Sequence, residues 1–209
     1  MRSFCLAIGT LLLAVIWTAQ FIAGWRGSVT AHMLAHMAVV AVASPLMAVG
    51  LAPSIIRPKA STLIGLPIWA SLVELVVVWG WHAPVARRWA DGSSLGMAAE
   101  QASFLMAGLF LWMSCLAAGR AARPSQRAAG TVGLLLTSMH MTLLGALLAL
   151  SPRPLYGDEN VTCLGLTLTA AEDQQVGAVV MLLVGAASYL AGGVVLLSGL
   201  LADPDRRAA

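Results

Sequence analysis

The pattern of this chain is long apolar stretches broken by short polar runs, with no alternation of apolar and polar positions. Six segments stay apolar over roughly the 20 residues a helix needs to cross a bilayer, near 4–24, 30–52, 62–82, 94–118, 129–151 and 175–201. Backbone groups in hydrocarbon must be satisfied within their own segment, so the spans are predicted to be helices. A transmembrane β-barrel would show period-two alternation instead. The expectation is therefore an all-α, polytopic membrane helix bundle forming a single transmembrane domain over 1–209.

The breaks between segments carry loop chemistry. Arg26-Gly27-Ser28 follows the first span, Pro53 with Arg57-Pro58-Lys59 the second, and Arg87, Arg88 and Asp91-Gly92 the third. Arg120, Arg123-Pro124 and Arg127 follow the fourth. The longest break runs from Ser151 to Glu172 and holds Pro152 and Pro154. Pro45 and Pro67 fall inside spans and are expected to kink them.

Cations between spans set orientation. One side would hold Arg2, Arg57, Lys59, Arg120, Arg123, Arg127, Arg206 and Arg207, and the other Arg26, Arg87, Arg88 and Arg153. Eight against four predicts both termini in the cytoplasm. Asp158, Glu159, Glu172 and Asp173 then lie outside. Trp25, Trp79, Trp81, Trp89 and Tyr156 fall near outer span ends, as an interfacial aromatic belt would. Met1-Arg2 before an apolar run also suits a signal peptide, but no clean small-x-small cleavage site follows, and a retained helix is the reading adopted here.

Composition agrees with lipid as the main solvent. Apolar residues make up 59% and charged residues 10% of the 209, and the mean hydropathy is +0.86. So few charges cannot cover a water-facing surface. A net charge of +3 is too small and too scattered for a nucleic-acid surface. Cys5, Cys115 and Cys163 are odd in number and far apart, against a disulfide framework or a cysteine-rich zinc site. No phosphate-binding loop, dinucleotide fingerprint or nucleophile elbow is present, so no enzyme is expected.

Chemistry concentrates in four histidines. His32 and His36 are spaced i, i+4, which stacks two imidazoles on one helical face about 6 Å apart. Each is followed directly by a methionine, Met33 and Met37. His82 ends the third span on the same expected side. His140 lies in Met139-His-Met141, on the order of 15 Å below the outer end of its span by helical rise, whereas His36 is about 9 Å below its own. A shared site would need the fifth span shifted, or a short vertical path. Ionisable residues at membrane depth are costly and tend to be functional, although a histidine there can also simply bond a neighbouring helix. Met33, Met37, Met97, Met139 and Met141 neighbour the histidines or share their level; thioether with imidazole suits Cu(I). Glu74 and Glu100 are the only acids inside spans: Glu74 reads as a neutral helix–helix hydrogen bond or, alternatively, as a proton holder or histidine partner, and Glu100 as solvated near an outer end. Asp173 opens the last span, where the helix dipole accounts for an acid.

Taken in order, several short pieces resemble the CtaG family of cytochrome c oxidase assembly proteins, the membrane type associated with caa3-class oxidases. They are His32-Met-Leu-Ala-His-Met37, Pro45-Leu-Met-Ala-Val-Gly50, Trp81-His-Ala-Pro84, Glu100-Gln-Ala-Ser-Phe104 with Trp112, Met139-His-Met141, Ser151-Pro-Arg-Pro-Leu-Tyr156 and Glu172-Asp-Gln-Gln-Val-Gly177. The resemblance runs from about Val29 to the last helix. It implies assembly of a haem–copper terminal oxidase at the stage of copper insertion, with His32, His36, His82, His140, Met141 and Asp173 as functional residues. It also implies a bacterial inner-membrane location, with oxidase subunits and a periplasmic copper chaperone as partners. Where such proteins often carry a second His-x-x-x-His pair, this chain has Met97 and Gln101; Gln101 is a poor Cu(I) ligand. The chain also lacks one helix that longer members carry.

Three functions are weighed: a Cu(I)-handling assembly factor, with Met33, Met37 and Met97 joining the histidines as donors; a haem-binding membrane protein using His36 and His140; and a metal-free scaffold of the oxidase, with Ala187, Ala191, Gly192 and Gly193 permitting close helix packing.

Overall fold

The computed structural model describes residues 1–22, 27–55, 65–116, 124–163 and 165–201. Arg26, Arg57, Lys59, Arg120, Arg123, Arg206 and Arg207, on which the orientation expectation turns, lie outside the described residues, as does Trp25.

The first apolar segment forms α1 (Arg2–Ile22). It lies at the edge of the bundle against the second segment, where Gly9 meets Met47 and Ala43. That second segment is one helical run in three parts: α2 (Val29–Met37), a π-helical turn (Ala38–Ala43) and α3 (Ser44–Ile55). Pro45 explains the turn. Proline has no N–H and its ring crowds the carbonyl four residues back, that of Ala41. A widened turn relieves the crowding, with the Ser44 N–H reaching back to the Val39 carbonyl. Freed carbonyls inside a bundle must find other donors. Ser188 Oγ donates to the Ala41 carbonyl at 2.6 Å and Trp112 Nε1 to the Val40 carbonyl at 3.0 Å.

Pro67 plays a different part from the expected kink. It sits in the first turn of α4 (Leu66–His82), where a missing N–H costs nothing. A second correction follows α4. Residues 84–92, read from sequence as loop, form α5 (Pro84–Gly92), bent 71° from α4. Ala83 is held extended (φ −64°, ψ 133°) because Pro84 disfavours a helical conformation before it. α5 packs tightly on α6 (Ser94–Leu116): a Cβ on Gly96 would lie 2.6 Å from the Trp89 carbonyl.

α7 (Pro124–Ala149) and α8 (Ala170–Leu201) complete the bundle. Between them the long loop holds a small antiparallel hairpin, β1 (Val161–Cys163) with β2 (Leu166–Leu168), paired Val161 to Leu168. It is a minor addition to an otherwise all-helical protein. α8 begins earlier than the sequence suggested, at Ala170.

Among the described residues, five helical runs are long and apolar enough to cross a membrane, and a sixth appears if α4 and α5 count as one bent span. α4 alone has 17 residues, about 26 Å of rise, slightly short of a hydrocarbon core. The protein is a polytopic membrane helix bundle. Its core is built of Met33, Met37, Val39, Val40, Phe104, Leu111, Trp112, Leu134, Met181 and Tyr189.

Register between helices decides which polar residues meet. α2 and α6 run parallel: His36 meets Phe104, and Val40 meets Gly108. α4 and α7 are also parallel, with Pro67 against Gly133 and Ser71 against Thr137. α8 runs alongside α2, and a Cβ on Gly177 would press within 3.1 Å of Val29 and Met33. These close approaches hold the start of α2 at the end of the bundle that carries the hairpin.

Candidate metal centre

Three imidazoles from two helices gather at the hairpin end. His32 and His36 stack along α2 with centroids 6.1 Å apart and planes 6° from parallel, as i, i+4 spacing dictates. His82, at the last turn of α4, sits edge-on to both at 5.3 Å. Phe104 of α6 closes the group, 4.1 Å from the His36 ring. All three histidines are buried, His36 fully.

The hydrogen-bond inventory of these rings is unusual. A neutral imidazole has one N–H donor and one lone-pair acceptor. His82 Nδ1 lies 2.7 Å from the Val78 carbonyl, which can only accept, so Nδ1 carries the proton. The Nε2 lone pair then faces the Met33 sulfur at 3.5 Å. Two Lewis bases point at each other with no proton between them. Both ring nitrogens of His32, and both of His36, have no hydrogen-bond partner at all. Buried polar groups are normally paired, and a group of unpaired ones asks for an explanation. Imidazole and thioether donors together are those a soft cation takes. Among the described residues, no group of three or more His, Cys, Asp or Glu side chains is arranged so that it could hold a metal ion. The arrangement is a cluster of available donors.

Acid and base residues border the cluster. Glu100 Oε2 of α6 lies 3.6 Å from His32 Nδ1, just beyond hydrogen-bond reach. Arg87 Nη1 of α5 lies 3.7 Å from Glu100 Oε1, while Arg87 Nη2 pairs with Asp91 at 2.8 Å. Glu100 is 1% exposed and Arg87 6%. This corrects the expectation that Glu100 is solvated and Arg87 a loop cation. The i, i+4 spacing of Arg87 and Asp91, with Trp89 between them, was the available sign of an interfacial helix. Trp89 stacks on Trp81 at 5.6 Å, and Trp81 Nε1 donates to Ser103 Oγ at 2.7 Å.

The remaining candidates are placed elsewhere. His140 faces α4, but the parallel register puts it level with Glu74, eight residues before His82 and about 12 Å lower by helical rise. It does not join the three other rings. Met37 reaches across to Gly185 of α8. Met141 is buried in the general core and Met139 is 68% exposed on the lipid-facing side. Met97 is buried on α6 one turn before Glu100 and Gln101; both amide atoms of Gln101 are buried without partners. Among the described residues, Met33 is the methionine whose sulfur meets a histidine nitrogen.

Asp173 is not with the histidines either. Its carboxylate caps the N-terminus of α2: Oδ1 accepts from Ser28 Oγ at 2.9 Å and the Thr30 N–H at 3.2 Å, and Oδ2 from the Val29 N–H at 2.6 Å. Thr30 Oγ1 returns a bond to the Asp173 carbonyl at 2.9 Å. With its lone pairs engaged, Asp173 positions the helix that carries His32 and His36. Ser28 supplies the ordinary N-cap, accepting from the Ala31 N–H. Next to it, Tyr156 donates to the His82 carbonyl at 2.8 Å. Burial pushes its hydroxyl up to about 12, so it remains a donor at neutral pH. Gln174, which the sequence did not single out, bridges the Leu155 N–H and the Leu148 carbonyl. An open cleft of about 760 Å³ lies at this end, lined by Ser28, Tyr156, Asp158, Glu159 and Asp173 among others, one helical turn from His32.

These features define a class: a polytopic helical membrane protein with a buried cluster of nitrogen and sulfur donors at one end. A family model described as cytochrome c oxidase caa3 assembly factor matches residues 1–203. The chain belongs to that family, whose role is assembly of the caa3-type oxidase. No curated protein matches the chain, and no solved structure does.

Proposed function

We propose that this assembly factor takes up Cu(I) at the periplasmic face of the bacterial inner membrane and passes it to the oxidase during maturation. Copper here is cargo, and the protein catalyses no bond-making of its own. The observation that carries the reading is the set of buried, unpartnered nitrogens of His32 and His36 beside a His82 nitrogen that faces the Met33 sulfur. Small side-chain rotations draw these donors around the ion, and ligand exchange at the open end releases it. The cleft above α2, with Asp158 and Glu159 on its lining, offers an approach that attracts cations. The hairpin end is then outside and both termini are cytoplasmic, in keeping with the distribution of arginine and lysine. A copper chaperone on the periplasmic side and the oxidase subunits are the partners this implies.

The test is His32→Ala with His36→Ala in the full-length protein. Copper bound by the purified protein and oxidase activity in the membranes should both fall to the level of the deletion strain. Normal copper content with normal oxidase activity defeats the reading. Loss of activity with no copper bound by the wild type would make the protein a metal-free scaffold.

A further inference from the structure

We propose that Glu74 and His140 form a proton-binding pair inside the membrane, holding one proton between α4 and α7. The inference is independent of the copper reading, because neither residue belongs to the donor cluster of His32, His36, His82 and Met33. Along the seam between α4 and α7, Pro67 meets Gly133 and Ser71 meets Thr137. Glu74 lies three residues after Ser71 and His140 three after Thr137, so they are the next positions to meet in this parallel register. Each side chain reaches the opposite helix: Glu74 lies beside Thr137, and the His140 ring beside the Ser71 backbone. Both residues are buried, Glu74 completely, and Glu74 is the middle residue of α4. Tyr189 of α8 donates to Glu74 Oε1, while Oε2 and both ring nitrogens of His140 have no partner. A buried carboxyl oxygen and a buried imidazole thus stand at one level, each short of a hydrogen bond.

One proton, beyond the one a neutral imidazole already carries, resolves the pair. The other titratable groups that face it are Tyr189 from α8 and the Cys115 thiol from α6, and neither is charged at neutral pH. Among the described residues no arginine or lysine acts on Glu74. With no added proton the pair carries one negative charge, and with two it carries one positive charge. Either is strongly unfavourable at membrane depth, where water does not screen it. With one proton the pair is neutral. The proton sits on Glu74 Oε2 and is donated to the bare His140 nitrogen, or it sits on that nitrogen and is donated to the carboxylate. Closing the bond takes side-chain rotation only, since the helices are already in register. An acid that can gain and lose a proton beside a base is the element of which intramembrane proton relays are built. The bundle therefore has a proton-binding position separate from its soft-metal donors.

The experiment uses the purified full-length protein in lipid vesicles at neutral pH, read by infrared spectroscopy and by the ring-nitrogen NMR resonances of labelled histidine. An ordinary glutamate, titrating at about 4.3, would be ionised there and its histidine partner free of it. The expected result is either a carboxylic-acid band that Glu74→Gln removes or a His140 imidazolium signal that His140→Ala removes. The partner's substitution must move whichever is seen: His140→Ala shifts the acid band to higher frequency, or Glu74→Gln returns His140 to the neutral imidazole. If His140→Ala fails to fold, the His140 resonance in wild type against Glu74→Gln, nearly identical in shape, carries the test, and it must shift. An ionised Glu74 beside a neutral His140 overturns the inference, and so does a signal that the partner's substitution leaves in place. Ag(I), a soft stand-in for Cu(I), should bind both variants within about twofold of wild type, the histidine cluster being about 12 Å away. A larger loss with helix content unchanged would draw the pair into the metal site and overturn the inference. A wild type that binds no silver defeats the copper reading, and a proton found on the pair would still bear this one out.

Discussion

Two polar clusters lie inside the same bundle about 12 Å apart along its axis, and they differ in how far hydroxyl groups close their hydrogen bonds. In the lower one, Thr137 Oγ1 donates to Ser71 Oγ at 2.9 Å and the Tyr189 hydroxyl donates to Glu74 Oε1 at 3.2 Å. One Glu74 oxygen and both ring nitrogens of His140, level with it, are left without a partner. In the upper one, four ring nitrogens of His32 and His36 are buried and unpaired, and the fifth, on His82, faces sulfur. A hydroxyl rotates, donates and accepts, so it closes a network between helices readily. An imidazole lone pair beside a thioether and a phenyl ring has nothing to accept from. The hydroxyl-linked part of the lower cluster is therefore helix–helix cohesion, and the upper cluster is a set of unpaired bases.

The sharpest way to break this comparison is to remove one arm of the upper cluster. His82→Ala should lower Ag(I) affinity about a hundredfold while the helix content by circular dichroism stays unchanged. An affinity equal to wild type would place His82 outside the binding site. Next in size is Asp173→Ala, which strips the cap from α2. It should cost about 2 kcal/mol, read as a lower thermal midpoint, with a smaller loss of silver affinity as His32 and His36 drift. Tyr189→Phe deletes the lower cluster's link to Glu74. Bonds between membrane helices average about 0.6 kcal/mol, so a slight drop in thermal midpoint is expected, with silver binding intact. The smallest effect belongs to His140→Ala. Sites so far apart couple weakly, and silver affinity should stay within about twofold; a large loss would put His140 back in a shared site.

Much of the architecture was readable in advance. Continuous apolar runs near the length of a bilayer can satisfy their backbone only as helices, and the helices lie close to where those runs were marked. The pairing of His32 with His36 was equally legible, since both sit on one helix and the helical repeat alone stacks them. Pro45 was legible as a disturbance, but its form was not. Whether proline bends a helix or widens a turn depends on donors from elsewhere, here Ser188 and Trp112. Pro67 looked like a second kink because the start of α4 could not be located among apolar residues. Residues 84–92 read as loop because charges and Gly92 interrupt the apolar run there, although Arg87 and Asp91 have helical i, i+4 spacing.

What the chain determined by itself is everything that follows from local spacing and from the solvent it must live in: helices, their rough limits, and two histidines on one face. Only the tertiary structure decided which helices are neighbours and in what register. That is why His82 and Glu100 join the pair on α2 while His140 does not, and why Asp173 meets the start of α2. The reason is physical: helical geometry is set by bonds a few residues apart, whereas register between helices is set by where small residues such as Gly96 and Gly177 let backbones close together.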